Sequence, residues 1–137
     1  MTKLTQPPVS TRYPNETMER LERRARQQGS SRSALIQRYV AEGLEMDEHP
    51  GIVFRSGPAG RRPGLAGGPD VWEVVAVYAS FGDIERTADW LEQPLSAVEV
   101  ALRYYNAHRE QIDDWIRRNE EAAAAAERVW RARRAVS

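Results

Sequence analysis

A six-residue segment near the start of the chain constrains the fold more than any other. Residues 8–13 alternate with the period of two that indicates a β-strand. One face of this strand carries Val9, Thr11 and Tyr13, and the other carries Pro8, Ser10 and Arg12. Prolines on both sides prevent the strand from growing longer, because proline donates no ladder hydrogen bond. A single short strand needs a partner, and the nearest candidate is the same strand in a second copy of the chain.

Two helices are predicted directly after this strand. An apolar stripe at helical spacing predicts the first over residues 15–28, and it consists of Met18, Leu21 and Ala25. Gly29 favours a stop, and Ser31 favours the start of a second helix that runs to about Leu44. The apolar face of the second helix is Ile36, Tyr39, Val40 and Leu44. A unit this small exposes too much apolar surface as a monomer, so we expect obligate dimerisation.

Basic residues are concentrated at the start of the chain, although the whole chain has no net charge. Up to Ala41 there are eight basic and three acidic residues, which leaves a net charge of +5. An acidic segment follows at once, with Glu42, Glu45, Asp47 and Glu48. This distribution favours a nucleic-acid partner for the N-terminal part, which the balanced total conceals.

Composition argues against several other classes of protein. The chain has no cysteine, which excludes disulfides and thiolate metal sites and fits a reducing cytoplasm. No apolar run approaches the length of a membrane span, and the N-terminus lacks a signal-peptide pattern. The only histidines are His49 and His108, and no third ligand stands at a suitable spacing beside His108 and Asp113-Asp114. We therefore expect no enzyme activity, no cofactor and no metal.

Glycine and proline divide the chain into four parts. Six of the nine glycines and four of the eight prolines fall within residues 50–69, so we interpret 49–69 as a linker or a small hairpin. Residues 70–116 show helical patterns broken near Gly82 and Pro94, as in a helix-turn-helix-like unit. Residues 117–137 continue a long C-terminal helix with five consecutive alanines. The segment before the linker, residues 1–48, is expected to be a dimerisation and DNA-binding domain.

The first third of the chain resembles the ribbon-helix-helix family of repressors and antitoxins. The resemblance rests on Pro7–Pro14, on Ala25 and Gly29, and on the Ser-Ser-Arg-Ser-Ala-Leu-Ile run at residues 30–36. It implies that two strands pair antiparallel across a dimer and enter the major groove of DNA. Together with the other patterns it predicts a mainly α fold with short β elements: a ribbon-helix-helix, a small hairpin-and-trihelix domain and a long C-terminal helix.

The resemblance also implies which residues contact DNA. The outward strand residues would be Pro8, Ser10 and Arg12, and Arg12 is the strongest candidate because arginine can donate two hydrogen bonds to guanine. Ser31, Arg32 and Ser33 stand at a helix start, where free backbone N–H groups form an anion site that suits a phosphate. The alternative for these three is an ordinary helix cap on the protein surface.

Residues 50–116 resemble a small antitoxin-like family of unknown function whose members often accompany PIN-type ribonuclease toxins. The matching segments are residues 49–52, 60–64, 71–74 and 95–105. The resemblance implies a Gly/Pro-rich hairpin followed by three helices. A second DNA site on the helix-turn-helix-like pair, with Arg103, is the less favoured role, and a protein-interaction role is the more favoured one.

The favoured function is a DNA-binding type II antitoxin of the cytoplasm that represses its own operon and neutralises a toxin, expected to be a PIN-type ribonuclease. Its partners would be operator DNA, the toxin, and a second copy in a dimer or a higher even oligomer, with no membrane. The toxin-binding residues would lie on the C-terminal helix: Arg128, Trp130, Arg131, Arg133 and Arg134. Two alternatives stay open: a stand-alone dimeric repressor whose second domain oligomerises or binds a ligand, and a C-terminal helix that extends the dimer.

Overall fold

The computed structural model of the protein describes residues 6–136 and divides into two compact units, one ending at Ala41 and the other beginning at Glu42. The helices are α1 (Asn15–Gln27), α2 (Arg32–Glu48), α3 (Val71–Phe81), α4 (Ile84–Leu91), α5 (Leu95–Ala107) and α6 (Arg109–Val136). The strands are β1 (Ile52–Gly57) and β2 (Gly60–Leu65). The predicted fold class, mainly α with a short hairpin and a long C-terminal helix, is confirmed. None of the described helices is long and apolar enough to cross a membrane.

The first unit is built on α1 and the beginning of α2. Gly29 takes the left-handed conformation between them, with φ of +63°, as its predicted role as a helix stop requires. The chain then turns, and the N–H of Ser30 donates to the carbonyl of Ala25 at 2.9 Å. Among the residues of this unit that the structure describes, Ala25 and Leu35 are the buried apolar side chains. A unit with so few buried groups retains much of its apolar surface in contact with water.

The predicted strand at residues 8–13 is not formed in the single chain. This segment carries no regular secondary structure, whereas the sequence pattern predicts a strand. The physical reason is that a strand exists only through hydrogen bonds to a neighbour, and the predicted neighbour belongs to a second copy of the chain. The alternation of side chains along the segment is a property of its sequence and is unchanged.

The second unit begins with a regular β-hairpin. β1 and β2 pair antiparallel from Ile52 opposite Leu65 to Gly57 opposite Gly60, so only two residues form the turn. Gly60 has φ of +123°, a conformation that other residues rarely adopt. Ile52 and Leu65 are both buried, and they carry one face of the hairpin into the core of the unit. Residues 49–69 therefore contain an ordered hairpin.

A buried carboxylate joins the hairpin to α3. Asp70 accepts hydrogen bonds from Nε and Nη2 of Arg55 at 3.2 and 2.9 Å, and Arg62 donates to its second oxygen. Burial raises the pKa of Asp70, but the hydrogen bonds and charges of Arg62 and Arg55 outweigh it and hold that pKa below its ordinary value. Asp70 precedes α3 directly but makes no side-chain cap there, because the arginines occupy its oxygens.

Helices α3, α4 and α5 pack with the hairpin around one apolar core. Its fully buried members include Val71, Val74, Val98, Ala101 and Tyr104. Gly82 ends α3 in the left-handed conformation, and Asp83 caps α4 by accepting from the N–H groups of Glu85 and Arg86. Each break in the helical pattern therefore has a local chemical cause.

One large aromatic side chain of the second unit lies outside the core. Trp90 is 69% exposed and meets only the edge of Phe81 among the described rings. The short α4 presents Thr87 and Ala88 inward, and Trp90 lies two residues beyond Ala88 on another face. Tyr104, not its neighbour Tyr105, is the fully buried aromatic ring of α5.

Helix α6 is packed only at its beginning. Ile112 and Trp115 are its buried residues, and Ile116 is partly buried against the same core. Every described residue after Ile116, as far as Val136, is exposed. This outer part of α6, residues 117–136, is called the C-terminal arm below, and at 1.5 Å per residue it is about 30 Å long.

Candidate nucleic-acid interface

The predicted base-contacting residues lie in an open N-terminal segment. Pro8, Ser10 and Arg12 are all exposed in the single chain. Val9, on the opposite face of the alternating pattern, is 87% exposed. A large apolar side chain in this position is costly in water, so the segment is suited to pairing with something that covers Val9. Its polar face would then remain available to a ligand.

The start of α2 holds the three predicted phosphate-contacting residues. The N–H of Ala34 donates to Oγ of Ser31 at 3.1 Å, so Ser31 is the cap of this helix. Arg32 forms an exposed ion pair with Glu22 of α1, with 3.0 Å between Nη1 and Oε1. Ser33 is exposed. The three residues therefore lie together at one helix start, and Arg32 is already partnered there by a carboxylate.

A groove of about 720 Å³ runs between α1 and α2 within the first unit. Its apolar lining includes Leu21, Ile36 and Val40, and its rim includes the arginines Arg20, Arg23 and Arg24. Val40 is 57% exposed, and Tyr39 beside it is also exposed. Part of the apolar stripes that the sequence assigns to the two helices thus faces an open groove: Leu21 on α1, and Ile36, Tyr39 and Val40 on α2.

Comparison with known protein families gives one match to this region. Residues 12–46 match the family model for the ribbon-helix-helix protein, copG family. This part of the chain is therefore similar to ribbon-helix-helix proteins. No curated protein and no solved structure matches the chain. The matched residues begin at Arg12 and contain all of α1 and α2 as far as Met46.

The ribbon-helix-helix match includes some of the residues predicted to contact DNA and not others. Domains of this kind typically bind DNA as dimers and regulate transcription. Arg12 is the first matched residue, whereas Pro8 and Ser10 precede the match. Ser31, Arg32 and Ser33 lie inside the matched residues, at the start of α2. The contacts of these six residues with DNA stay predictions.

The predicted toxin-binding residues share the C-terminal arm. The guanidinium of Arg134 lies over the ring of Trp130, 4.8 Å from its centroid, and Arg131 pairs with Glu127 at 2.7 Å. Arg128, Arg133 and Val129 are exposed on the same stretch of helix. The arm therefore combines a large exposed aromatic ring with several cations, a composition typical of protein-binding anchors.

The helix-turn-helix-like pair is formed by α4 and α5. Glu92 ends α4 in the left-handed conformation with φ of +54°, and Pro94 immediately precedes α5. α5 begins at Leu95, and no side chain caps its first turn by a hydrogen bond. Arg103 is exposed on α5, and Glu99 is exposed one turn before it. This mixed charge gives no basic surface, so DNA binding here stays the less favoured prediction.

One cluster of ligand-type side chains is not evident from the sequence. Glu45, His49 and His108 each offer one ligand atom, and these atoms all lie within 4.8 Å of one another. The expectation of no metal site rested on the lack of a third ligand near His108 in the sequence. Glu45 lies 63 residues before His108, so no motif of local spacing reveals their contact. The sequence does contain one indication of this cluster, because each of the two histidines of the chain lies next to a helix end: His49 after α2, and His108 between α5 and α6.

Proposed function

We propose that this protein is a dimeric, sequence-specific DNA-binding repressor that regulates transcription through its ribbon-helix-helix domain. The observation that carries the proposal is the family match over residues 12–46, which covers the two helices of the first unit. The concentration of positive charge before Ala41 supports it, since phosphate contacts supply much of the affinity for DNA.

Dimerisation is part of this proposal. The open groove between α1 and α2 and the uncovered Val9 are apolar surfaces that a second copy would bury. Pairing of residues 8–13 with the same residues of the second copy would supply backbone hydrogen bonds that the single chain lacks. A folded monomer in sedimentation-velocity runs at micromolar concentration contradicts this part of the proposal.

The residues of the N-terminal strand and those at the start of α2 would contact different parts of the DNA. Arg12 and Ser10 on the paired strands would contact base edges, with Pro8 at the end of the ribbon. Ser31, Arg32 and Ser33 would hold a phosphate at the start of α2, where the helix dipole is positive. Base contacts give sequence preference, and phosphate contacts fix the register of the protein on the duplex.

Arg12→Ala tests the base-reading role. An operator is first selected from a random duplex library with the wild-type protein, and binding to it and to a scrambled duplex is then measured at matched salt. We expect Arg12→Ala to lower the ratio of the two affinities by about 5- to 100-fold. Arg26→Ala, an exposed arginine of α1, is the matched control and should leave the ratio unchanged. A wild-type ratio in Arg12→Ala shows that Arg12 does not read bases.

A more specific function is favoured by the C-terminal arm. We propose that the protein is a type II antitoxin that represses its own operon, and that the arm binds a cognate toxin. The observation behind this second step is a helical arm in which every described residue after Ile116 is exposed, Trp130 among them. Isolated helices of this length are marginal in water, so a binding partner would stabilise the arm.

The chemistry of the arm suits an acidic groove. Arg128, Arg131, Arg133 and Arg134 could place a guanidinium among carboxylates, while Trp130 fills an apolar pocket beside them. A PIN-type ribonuclease has a groove of this kind, because clustered carboxylates hold its metal ions. The proposal of a PIN-type toxin rests on the sequence resemblance of residues 50–116.

Deletion of residues 117–137 separates the two functions. Co-expression with the product of an adjacent toxin gene should show that the truncated chain no longer restores growth, while its dimer and its operator binding are kept. Trp130→Ala should weaken neutralisation, and Val136→Ala at the end of the arm is the matched control. Neutralisation by the truncated chain, or loss of its dimer, contradicts the assignment. A gene without a neighbouring toxin favours the alternative, a stand-alone repressor whose second unit oligomerises or binds a ligand.

A further inference from the structure

Three side chains from separate parts of the second unit converge beside its core. Glu45 lies on the last turn but one of α2, His49 follows the end of that helix, and His108 lies between α5 and α6. Oε2 of Glu45 is 2.8 Å from Nε2 of His108 and 3.9 Å from Nε2 of His49. All three side chains are partly exposed, at 18–27% of their surface, so a small ion has access from solvent.

Neighbouring groups hold both imidazole rings in place. Tyr104, which is 1% exposed, stacks on His108 with 4.3 Å between ring centroids and meets His49 edge-on at 5.1 Å. The main chain is fixed as well, since the N–H of His49 donates to the carbonyl of Glu45 at 2.8 Å. The N–H of Ile112 donates to the carbonyl of His108 at 3.2 Å. Preorganised ligands lose little freedom when they bind an ion.

The local charge favours a cation. Oε2 of Glu45 lies 2.8 Å from Nε2 of His108, and its carboxylate would attract a positive ion to this place. Arg61 neutralises Glu42 through a two-pronged ion pair, so the carboxylate of Glu45 is the negative group in direct contact with the two rings.

We propose that Glu45, His49 and His108 form a binding site for one divalent transition-metal ion of the zinc type. Two imidazole nitrogens and one carboxylate oxygen are a donor set that zinc uses in proteins, with a fourth position left for water or another ligand. Tetrahedral zinc with bonds of about 2.0–2.1 Å places its ligand atoms about 3.3 Å apart. The two separations from Glu45, 2.8 and 3.9 Å, lie on either side of this value, so small side-chain rotations would close the site.

The site is separate from the proposed DNA contacts, which all lie before Ala41. The simpler alternative is that Glu45 and His108 form only a hydrogen bond between α2 and the α5–α6 connection. The two possibilities differ in the role of His49, which is 3.9 Å from the carboxylate and therefore outside ordinary hydrogen-bond distance. A metal ion uses His49 as a ligand, whereas the simple hydrogen bond does not need it.

The test titrates Zn²⁺ into the untagged, metal-free full chain in a calorimeter, without DNA. We expect one ion per chain, and at least a 10-fold weaker affinity in each of Glu45→Gln, His49→Gln and His108→Gln. Asp47→Asn is the matched control, because Asp47 is an exposed acidic residue on the same helix but two positions from Glu45. It should bind Zn²⁺ like the wild-type chain. Wild-type affinity in the His49→Gln variant overturns the proposal.

A second measurement needs no variant. The chain has only two histidines, so its imidazole C–H signals in a proton NMR spectrum report this site alone. Both signals should shift together on addition of one equivalent of Zn²⁺, and excess chelator should reverse the shift. Unchanged signals, or a shift of one histidine only, overturn the proposed site. Because neither measurement involves DNA or a toxin, failure here leaves the proposed repressor function unaffected.

Discussion

Arg61 and Glu42 form a two-pronged ion pair within the second unit. Nε of Arg61 donates to Oε2 of Glu42 at 2.8 Å, and Nη2 donates to Oε1 at 2.6 Å. Glu42 is 8% exposed, so its carboxylate depends on Arg61 for much of the hydrogen bonding that water would otherwise supply. This planar geometry suits arginine, and it links Glu42 of α2 to Arg61 of β2.

Removal of the charge on Glu42 should destabilise the second unit. Glu42→Gln keeps the size of the side chain but loses one strong acceptor, and we expect a loss of about 2 kcal/mol in the free energy of unfolding. Urea denaturation followed by circular dichroism measures this. Glu48→Gln, an exposed position on the same helix, is the control and should change stability by less than about 0.5 kcal/mol. Equal stability of the two variants would contradict the structural role of the pair.

Asp70 should make the stability of this unit dependent on acid pH. Its folded-state pKa lies below the ordinary value of 3.8, so the unfolded chain takes up a proton first as the pH falls. The contribution of Asp70 is therefore fully present above about pH 5 and is lost as the pH falls below about 4. Asp70→Asn should lower stability by about 3–5 kcal/mol at pH 7, because it leaves Arg55 and Arg62 without their anion.

The measurement for Asp70 is a set of urea midpoints between pH 7 and pH 3 for the wild-type chain and Asp70→Asn. The difference between them should be constant at the upper end and shrink at the lower end. Asp89→Asn, exposed on α4, is the control. A difference that stays constant down to pH 3 would show that Asp70 does not titrate as its surroundings require.

Two glycines should respond in opposite directions to the same substitution. Gly82 has φ of +66° at the end of α3, so Gly82→Ala should cost about 1 kcal/mol in backbone strain. Gly43 lies inside α2, and Gly43→Ala should add about 0.5–1 kcal/mol, since alanine is the better helix former. An added Cβ meets no atom within 4 Å at either site, so packing does not confuse the comparison. Thermal melts of both variants check the opposite signs.

Glu22 should limit the contact of Arg32 with DNA. Glu22 pairs with Arg32 in the free chain, so Glu22→Gln would release the guanidinium for a phosphate. We expect tighter binding to any duplex and a steeper salt dependence, with the log–log slope larger by about 1. Glu19→Gln, an exposed glutamate on the same helix, removes the same charge without touching this pair. An equal slope in the two variants would show that Arg32 makes no phosphate contact.

Local chemistry made much of the fold predictable. Gly29, Gly82 and Asp83 end or begin helices through their own backbone or side-chain preferences, which act within a few residues. The hairpin turn at Gly57–Gly60 follows from the same kind of signal. These signals do not require knowledge of distant contacts, so the sequence alone carries them.

Contacts across the chain were not predictable in the same way. Asp70 stands where a helix cap is expected, yet Arg55 and Arg62 compete successfully for its carboxylate once the hairpin folds. Trp90 has the apolarity of a core residue, but the packing of α4 turns it outward. The contact between Glu45 and His108 joins residues with no shared periodicity. In each case tertiary packing, which a local pattern does not contain, decides the outcome.

The backbone of α6 is one continuous helix, but its two parts should differ in local stability. Up to Ile116 the helix is packed against the core through Ile112 and Trp115. The amide hydrogens of this part should therefore exchange with solvent only when that core opens. After Ile116 every described residue is exposed, so we expect exchange there to need little more than local fraying of the helix. One uninterrupted helix should therefore exchange in two parts, with the boundary between them near Ile116.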